Sequence, residues 1–271
     1  MTFVSDHIEA PLEASCSAGY HAQRLRLLGG VVDLITPEAM IQFVINRLAA
    51  GKQTVIANHN LHSLYLLRRD PEFRKFFDIS DIVQIDSTPL IWWAQLLGAP
   101  ARQAHRCTYL DYRNAFWAET RRQNWRVFHL GGAPDVAQRA ADRLNEEWGV
   151  EIGVHHGYFD GCSAEADQVT AEIAAFRPDI LLVGMGMPRQ ETWINRNRAA
   201  LGPCAIFSVG GAFDYEAGVQ IAAPRWIGRL GLEWLFRLAI NPRRLFFRYC
   251  VEPWALVGPA LADLRARPRR P

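Results

Sequence analysis

Within a chain of 271 residues, the side chains that could do chemistry gather where short apolar runs stop. Asp86 closes the run DIVQID and is followed by Ser87, Thr88 and Pro89. An aspartate there can cap the next helix, or act as a general base toward a hydroxyl; the pattern allows both. Leu130-Gly131-Gly132-Ala133-Pro134 turns from an apolar run into a helical pattern. A nucleotide's phosphates fit such a turn, because glycine lets the backbone come close and the helix dipole favours an anion. Gly184-Met185-Gly186-Met187-Pro188-Arg189-Gln190-Glu191 is more specific, since it sets three functional side chains in the first turn of a helix behind a G-x-G turn. Gly210-Gly211-Ala212-Phe213-Asp214 repeats the arrangement, as ligand contact or as a tight turn with a capping aspartate. Asn58, His59 and His62 follow another run, and a histidine pair with no third ligand nearby is more often polar packing than a metal site. In His155-His156-Gly157-Tyr158-Phe159 the aromatic residues could stack a base or belong to the core.

These positions imply a scaffold. The runs TVIAN, DIVQID, RVFHLGG, EIGVHHG, DILLVGMG and AIFSVGG are each followed by a polar or glycine-rich turn and then a helical pattern. Runs apolar on both faces and separated by helices predict an α/β fold, a Rossmann-like doubly wound, mainly parallel sheet over residues 30–220. Ligands in such sheets sit beyond the carboxyl ends of the strands, where all of these turns fall. Thr36-Pro37-Glu38 predicts a capped helix start, with the helix running to Gly51. Residues 1–29 show no period and read as a loosely ordered leader. Residues 221–271 read as a basic amphipathic appendage: Ile227, Leu230, Trp234 and Leu238 follow helical spacing beside Arg229, Glu233 and Arg237, and a second helix starts at Asn241-Pro242. Its arginine stems could cover apolar surface of the sheet, or its forks could meet diphosphates and an anionic membrane.

Composition removes several classes. A net charge of +2 gives no field for nucleic acid. Five scattered cysteines, none spaced C-x-x-C, read as free thiols of a reducing compartment. The first residues lack the form of a signal peptide, and no apolar run approaches the roughly 20 residues of a membrane span. Arg189 stands where a dinucleotide fingerprint needs its third glycine, which disfavours a nicotinamide oxidoreductase. D-x-D, H-E-x-x-H and G-x-S-x-G are absent, so metal-dependent transfer, zinc hydrolysis and esterase chemistry lose ground.

From Val31 to Tyr249 the motifs NHNLHSLYLLRRDPEF, VQIDSTPLIWWAQLLG, VFHLGGAPDVAQRAADRL, HHGYF, PDILLVGMGMPRQETWI, VGGAFDYEAG and APRWIGRLGLEWLFRLAINPRRLFFRY together resemble the WecG/TagA/CpsF family of bacterial glycosyltransferases. The resemblance implies a metal-independent inverting enzyme without cofactor. It would use a UDP-sugar donor and a polyprenyl-diphosphate-linked sugar acceptor, and work in the cytoplasm at the inner face of the membrane as a peripheral protein. It assigns the general base to Asp86 and catalytic roles to Arg106 and Gln190. Donor contacts are expected at Asn58, Gly131, Gly132, Tyr158, Gly184, Gly186, Gln190, Gly211 and Asp214. Acceptor diphosphate and membrane contacts are expected at Arg225, Arg229, Arg237, Arg243, Arg244 and Arg248. Two departures bear on the donor: Asp86-Ser87-Thr88 replaces the family's Asp-Gly, and HRCTYLDY replaces E-R-V-x-G-x-D-L. They lean toward a hexose, UDP-glucose, and exopolysaccharide assembly, as in xanthan-type members. Transfer of N-acetylmannosamine or its uronate, as in teichoic acid or enterobacterial common antigen synthesis, is the alternative. A nucleotide-sugar-binding module without turnover is the rival of another class.

Overall fold

The computed structural model describes residues 22–266 except 162, 225, 226 and 229. Gln23–Leu27 (β1) and Gly30–Leu34 (β2) form an antiparallel hairpin in which Leu27 lies opposite Gly30. Leu28 and Gly29 between them have φ of 53° and 82°, and positive φ at both positions is the two-residue turn that matches strand twist. Residues 23–29 therefore belong to the fold and not to a leader, a correction whose cause is legible in QRLRL: Leu25 and Leu27 alternate with arginines and are buried. Residues 1–21 of the expected leader lie outside the described residues. Buried Asp33 ties the hairpin to the body, pairing with Arg24 at 2.8 Å and accepting from the Val83 amide at 2.8 Å.

The main sheet has six strands, all parallel: Thr54–His59 (β3), Ile82–Ile85 (β4), Val127–Gly131 (β5), Ile152–His155 (β6), Ile180–Gly184 (β7) and Ala205–Ser208 (β8), in the order β4-β3-β8-β7-β5-β6. These are the six runs that sequence picks out. Pro37–Ala49 (α1), Tyr109–Gln123 (α5), Pro134–Trp148 (α6) and Ala212–Glu216 (α9) cover one face, and Pro71–Asp78 (α3), Ala164–Phe176 (α7) and Arg189–Asn197 (α8) the other. Alternation inside single strands feeds both cores: Ile56, Leu182 and Phe207 join the first, while Val55, Val183 and Ile206 join the second. Each such buried side chain contributes roughly 1.5–3 kcal/mol, which is why these runs carry no polar face. α1 starts as expected, with Thr36 accepting from the Ala39 amide and Pro37 leading.

A third core joins the hairpin, Leu61–Leu67 (α2), Thr88–Leu96 (α4) and the end of the chain, through Leu25, Leu64, Ile91 and Leu256. The tail is not the continuous helix that the spacing of Ile227 to Leu238 predicts. Gly231 breaks it with φ 69°, where a Cβ would stand 2.4 Å from the Trp92 ring. Helices Glu233–Ile240 and Pro242–Phe246 follow, the second opening at Asn241 as expected, and Val257–Ala266 ends the described chain. Asp263 fastens that last helix: it accepts from the Leu28 amide at 2.8 Å and from Trp93 Nε1 at 2.9 Å.

Candidate active site

β4 delivers Asp86 to the carboxyl end of the sheet, its amide bonded to the His59 carbonyl at 2.9 Å. Asp86 does not cap α4, whose N-cap is Ser87. Its Oδ2 accepts instead from Asn60 Nδ2 at 3.1 Å. Asn60 is fixed because it caps α2, accepting from the Ser63 amide at 3.0 Å, so its amide has one end on the helix and the other on the carboxylate. Desolvation raises the Asp86 pKa from 3.8 to about 6, against the Asn60 hydrogen bond and the charge of Arg237, which favour the ionised form. A carboxylate so poised is ionised at neutral pH and still basic enough to take a proton.

Asp86 lines a cavity of about 340 Å³ whose opposite wall is the tail, including Trp234, Arg237, Arg248 and Tyr249. Arg237 is bonded to the Tyr215 hydroxyl and paired with Glu233 at 3.3 Å. Arg248 Nε is buried and bonded to nothing among the described residues, and burial, with Arg237 close by, lowers its pKa. Arg243 and Arg244 are exposed on the outer surface, while Arg225 and Arg229 lie outside the described residues. Arg106 reaches the same cavity from the segment beside β4. It is buried and forked between Asp111 at 2.8 Å and Glu233 at 3.5 Å, so its charge is met by carboxylates and joins the tail to the body.

The glycine turns do not line this cavity; they lie at the carboxyl ends of β5, β7 and β8. Gly131, Gly184 and Gly210 are packed backbone to backbone: a Cβ on Gly131 would stand 2.4 Å from the Gly184 oxygen, and one on Gly184 would stand 2.6 Å from the Gly210 oxygen. These glycines let three strand ends converge. Gly132 and Gly186 keep room for a ligand, Gly186 with no atom within 4 Å of a Cβ. Gly211 is contacted by Asp214, whose carboxyl pKa burial raises. Asn58 donates to the Ser208 carbonyl at 2.7 Å and braces β3 against β8. Tyr158 is 70% exposed, with its ring clear of the core. Arg189 stays exposed while it donates to the carbonyls of Gly157 and Phe159 at 2.8 and 3.0 Å, and Gln190 and Glu191 are fully buried.

The histidines divide by burial. His59, stacked on Phe77 with ring centroids 3.9 Å apart, has its pKa lowered to about 3 by desolvation. His62 pairs with Glu252 of the tail at 2.6 Å. Among the described residues, His155, His156 and Glu165 place three donor atoms within 4.8 Å of one another, but His155 Nδ1 is bonded to the His156 carbonyl and His156 Nδ1 to the Tyr158 amide.

Sequence reasoning missed Asn60, Glu233, Trp234 and Tyr249. Asn60 left a signal, a capping asparagine followed three residues on by Ser63; the cavity role of the tail residues exists only once the tail folds back. This arrangement, with the seven motifs in order, carries the family across nearly the whole chain: the model of the glycosyl transferase WecG/TagA/CpsF family matches residues 25–270. The chain belongs to that family. It is accordingly a glycosyltransferase, as its WecG/TagA/CpsF relatives are named. It is similar to three N-acetylglucosaminyldiphosphoundecaprenol N-acetyl-beta-D-mannosaminyltransferases of Staphylococcus aureus, from strains NCTC 8325 / PS 47, COL and MRSA252. Each is 26% identical over 204 residues, 71% of this chain and 78% of the relative. Their names contain N-acetylmannosamine, the alternative donor, and not the glucose toward which the sequence departures lean. Among the described residues no helix of this family member is long and apolar enough to cross a membrane.

Proposed function

We propose that this WecG/TagA/CpsF member transfers N-acetylmannosamine from its UDP derivative to the sugar of a polyprenyl-diphosphate-linked N-acetylglucosamine, with inversion. The observation that carries the reading is Asp86, held by Asn60 in a cavity walled by Arg237 and Arg248. The acceptor hydroxyl gives its proton to the Asp86 carboxylate while its oxygen attacks the anomeric carbon. The bond from that carbon to the UDP oxygen breaks, and UDP leaves with the electron pair. Arg237 and Arg248 supply positive charge to the diphosphate that enters the cavity. Gly132, Gly186 and Tyr158, accessible at neighbouring strand ends, are the donor contacts that the geometry supports best. Gly131, Gly184, Asn58 and Gln190 act there as supports for the turns, and Gly211 and Asp214 shape the turn after β8. The relatives' names support the acetamido sugar over the hexose.

UDP release tests this. UDP-N-acetylmannosamine, UDP-glucose and UDP-N-acetylglucosamine are offered with short-chain polyprenyl-diphosphate N-acetylglucosamine or glucose. Release is expected with UDP-N-acetylmannosamine and the N-acetylglucosamine lipid. Release only with UDP-glucose would restore the exopolysaccharide reading, and UDP binding without release from any pair would mean a binding module instead of an enzyme.

A further inference from the structure

Behind the donor turns, the first turn of α8 carries a relay of buried polar groups that the transfer chemistry above does not use. Gln190 has no exposed surface; its Nε2 donates to Glu191 Oε1 at 2.7 Å, and its Oε1 accepts from the Gly210 amide at 3.1 Å. An amide has one donor end and one acceptor end, so these partners admit one orientation: reversed, it would set N–H against N–H at Gly210 and oxygen against oxygen at Glu191. Glu191 has no exposed surface either, and its Oε2 is bonded to nothing among the described residues. A carboxyl group without full hydrogen bonding is a costly occupant of a core where leucine would fit. The Gly210 oxygen, in turn, is packed so closely on Gly184 that no Cβ fits between them. Movement of the turn after β8 therefore moves the turn after β7.

We propose that Glu191 is a positioning residue for donor binding: it orients the Gln190 amide, and through it holds the Gly210-Gly211 turn at the end of β8 against the Gly184 turn. The inference rests on the nucleotide-sugar reading for its consequence, but its geometry is testable without ligand. Burial raises the Glu191 pKa to about 7, and the neutral acid keeps an acceptor oxygen, so acceptance and not charge is the property required.

The test uses the full chain with E191L, E191Q, Q190A and Q190A/E191L. In the free protein, E191L should speed amide exchange at Gly210 about tenfold and E191Q should leave it unchanged, because glutamine keeps the acceptor. In the transfer assay, E191L should raise the UDP-sugar KM about tenfold with kcat changed less than threefold, with at most a modest loss of thermal stability, because a poorly satisfied carboxyl leaves the core while Gln190 Nε2 loses its acceptor. On the Q190A background E191L should add nothing. Should E191L not fold, E191M removes the same acceptor with a more adaptable side chain. Unchanged Gly210 exchange in E191L, an E191Q variant as impaired as E191L, or additive effects with Q190A would each overturn the relay. A wild-type protein that neither binds nor releases UDP would overturn the donor reading, and Gly210 exchange would still decide the relay.

Discussion

At the residue scale Asp86 is the group on which the proposed transfer turns. As the proposed base it would have to be ionised, and its pKa of about 6 predicts that kcat/KM rises as pH passes 6 and levels above it. Asn60→Ser should keep the α2 cap, since serine caps well, while losing the bond that favours the ionised form. The midpoint of the pH profile should then move upward, and a midpoint that stays put would remove Asn60 from the mechanism. Asp86→Asn should cut transfer on the order of 10²–10⁴-fold, the usual worth of a positioned base. The linkage sign follows from the same shift: a folded pKa above the unfolded one means that folding favours the neutral acid, so stability from this group is full below 3.8 and is lost as pH rises through 6. Asp86→Asn should therefore be more stable than wild type at pH 7.5, by on the order of 3 kcal/mol, and the two should converge below pH 4. Equal melting at pH 7.5 would mean that the carboxylate is better solvated than its surroundings indicate.

Elements show what was legible and why. The six parallel strands were readable because a strand buried on both faces is mostly apolar without alternation, with only single polar residues such as Gln84 and His129, so its run stands out between helices. The hairpin is legible only in part: QRLRL alternates, but the core its leucines join is built from distant segments, Leu64, Ile91 and Leu256 among them. Asp86 and the glycine turns were found from their place after strands. What those turns do was not readable, since the contacts of Gly131 with Gly184 and of Gly184 with Gly210 join residues far apart in sequence. The stretch from Ile227 to Leu238 reads as one continuous helix because spacing carries no information about the Trp92 ring that Gly231 packs against. Asp263 gives the element-scale prediction. Asp263→Ala leaves the Leu28 amide and Trp93 Nε1 without their shared acceptor, at a cost on the order of 2–4 kcal/mol. Urea unfolding should show this as a lower midpoint, together with faster amide exchange in β1. A midpoint within 0.5 kcal/mol of wild type, a threshold set by the usual scatter of neutral substitutions, would mean that the last helix is held by Leu256 and its apolar neighbours alone.

On the scale of the whole molecule, the tail presents two surfaces. Its inner surface gives Arg237, Arg248 and Tyr249 to the cavity and is latched to the body by His62 and Glu252. Its outer surface exposes Ile240, Phe246, Phe247 and Trp254, the last 75% exposed, around the exposed Arg243 and Arg244. On the proposed function the acceptor's polyprenyl chain stays in a bilayer while its sugar reaches Asp86, which would require the segment between cavity and solvent to face lipid. Exposed aromatic and aliphatic side chains beside arginines suit the headgroup region of an anionic bilayer, where each arginine contributes about 1 kcal/mol. Wild-type protein should therefore co-sediment with vesicles containing phosphatidylglycerol and much less with phosphatidylcholine alone. Arg243→Gln with Arg244→Gln should weaken that binding by about 2 kcal/mol, roughly 30-fold, and 0.5 M salt should remove most of the difference because surface charges are screened at short range. If the double variant sedimented like wild type, or if it aggregated without vesicles present, the outer surface would be a packing or assembly face, and lipid access to the cavity would need another route.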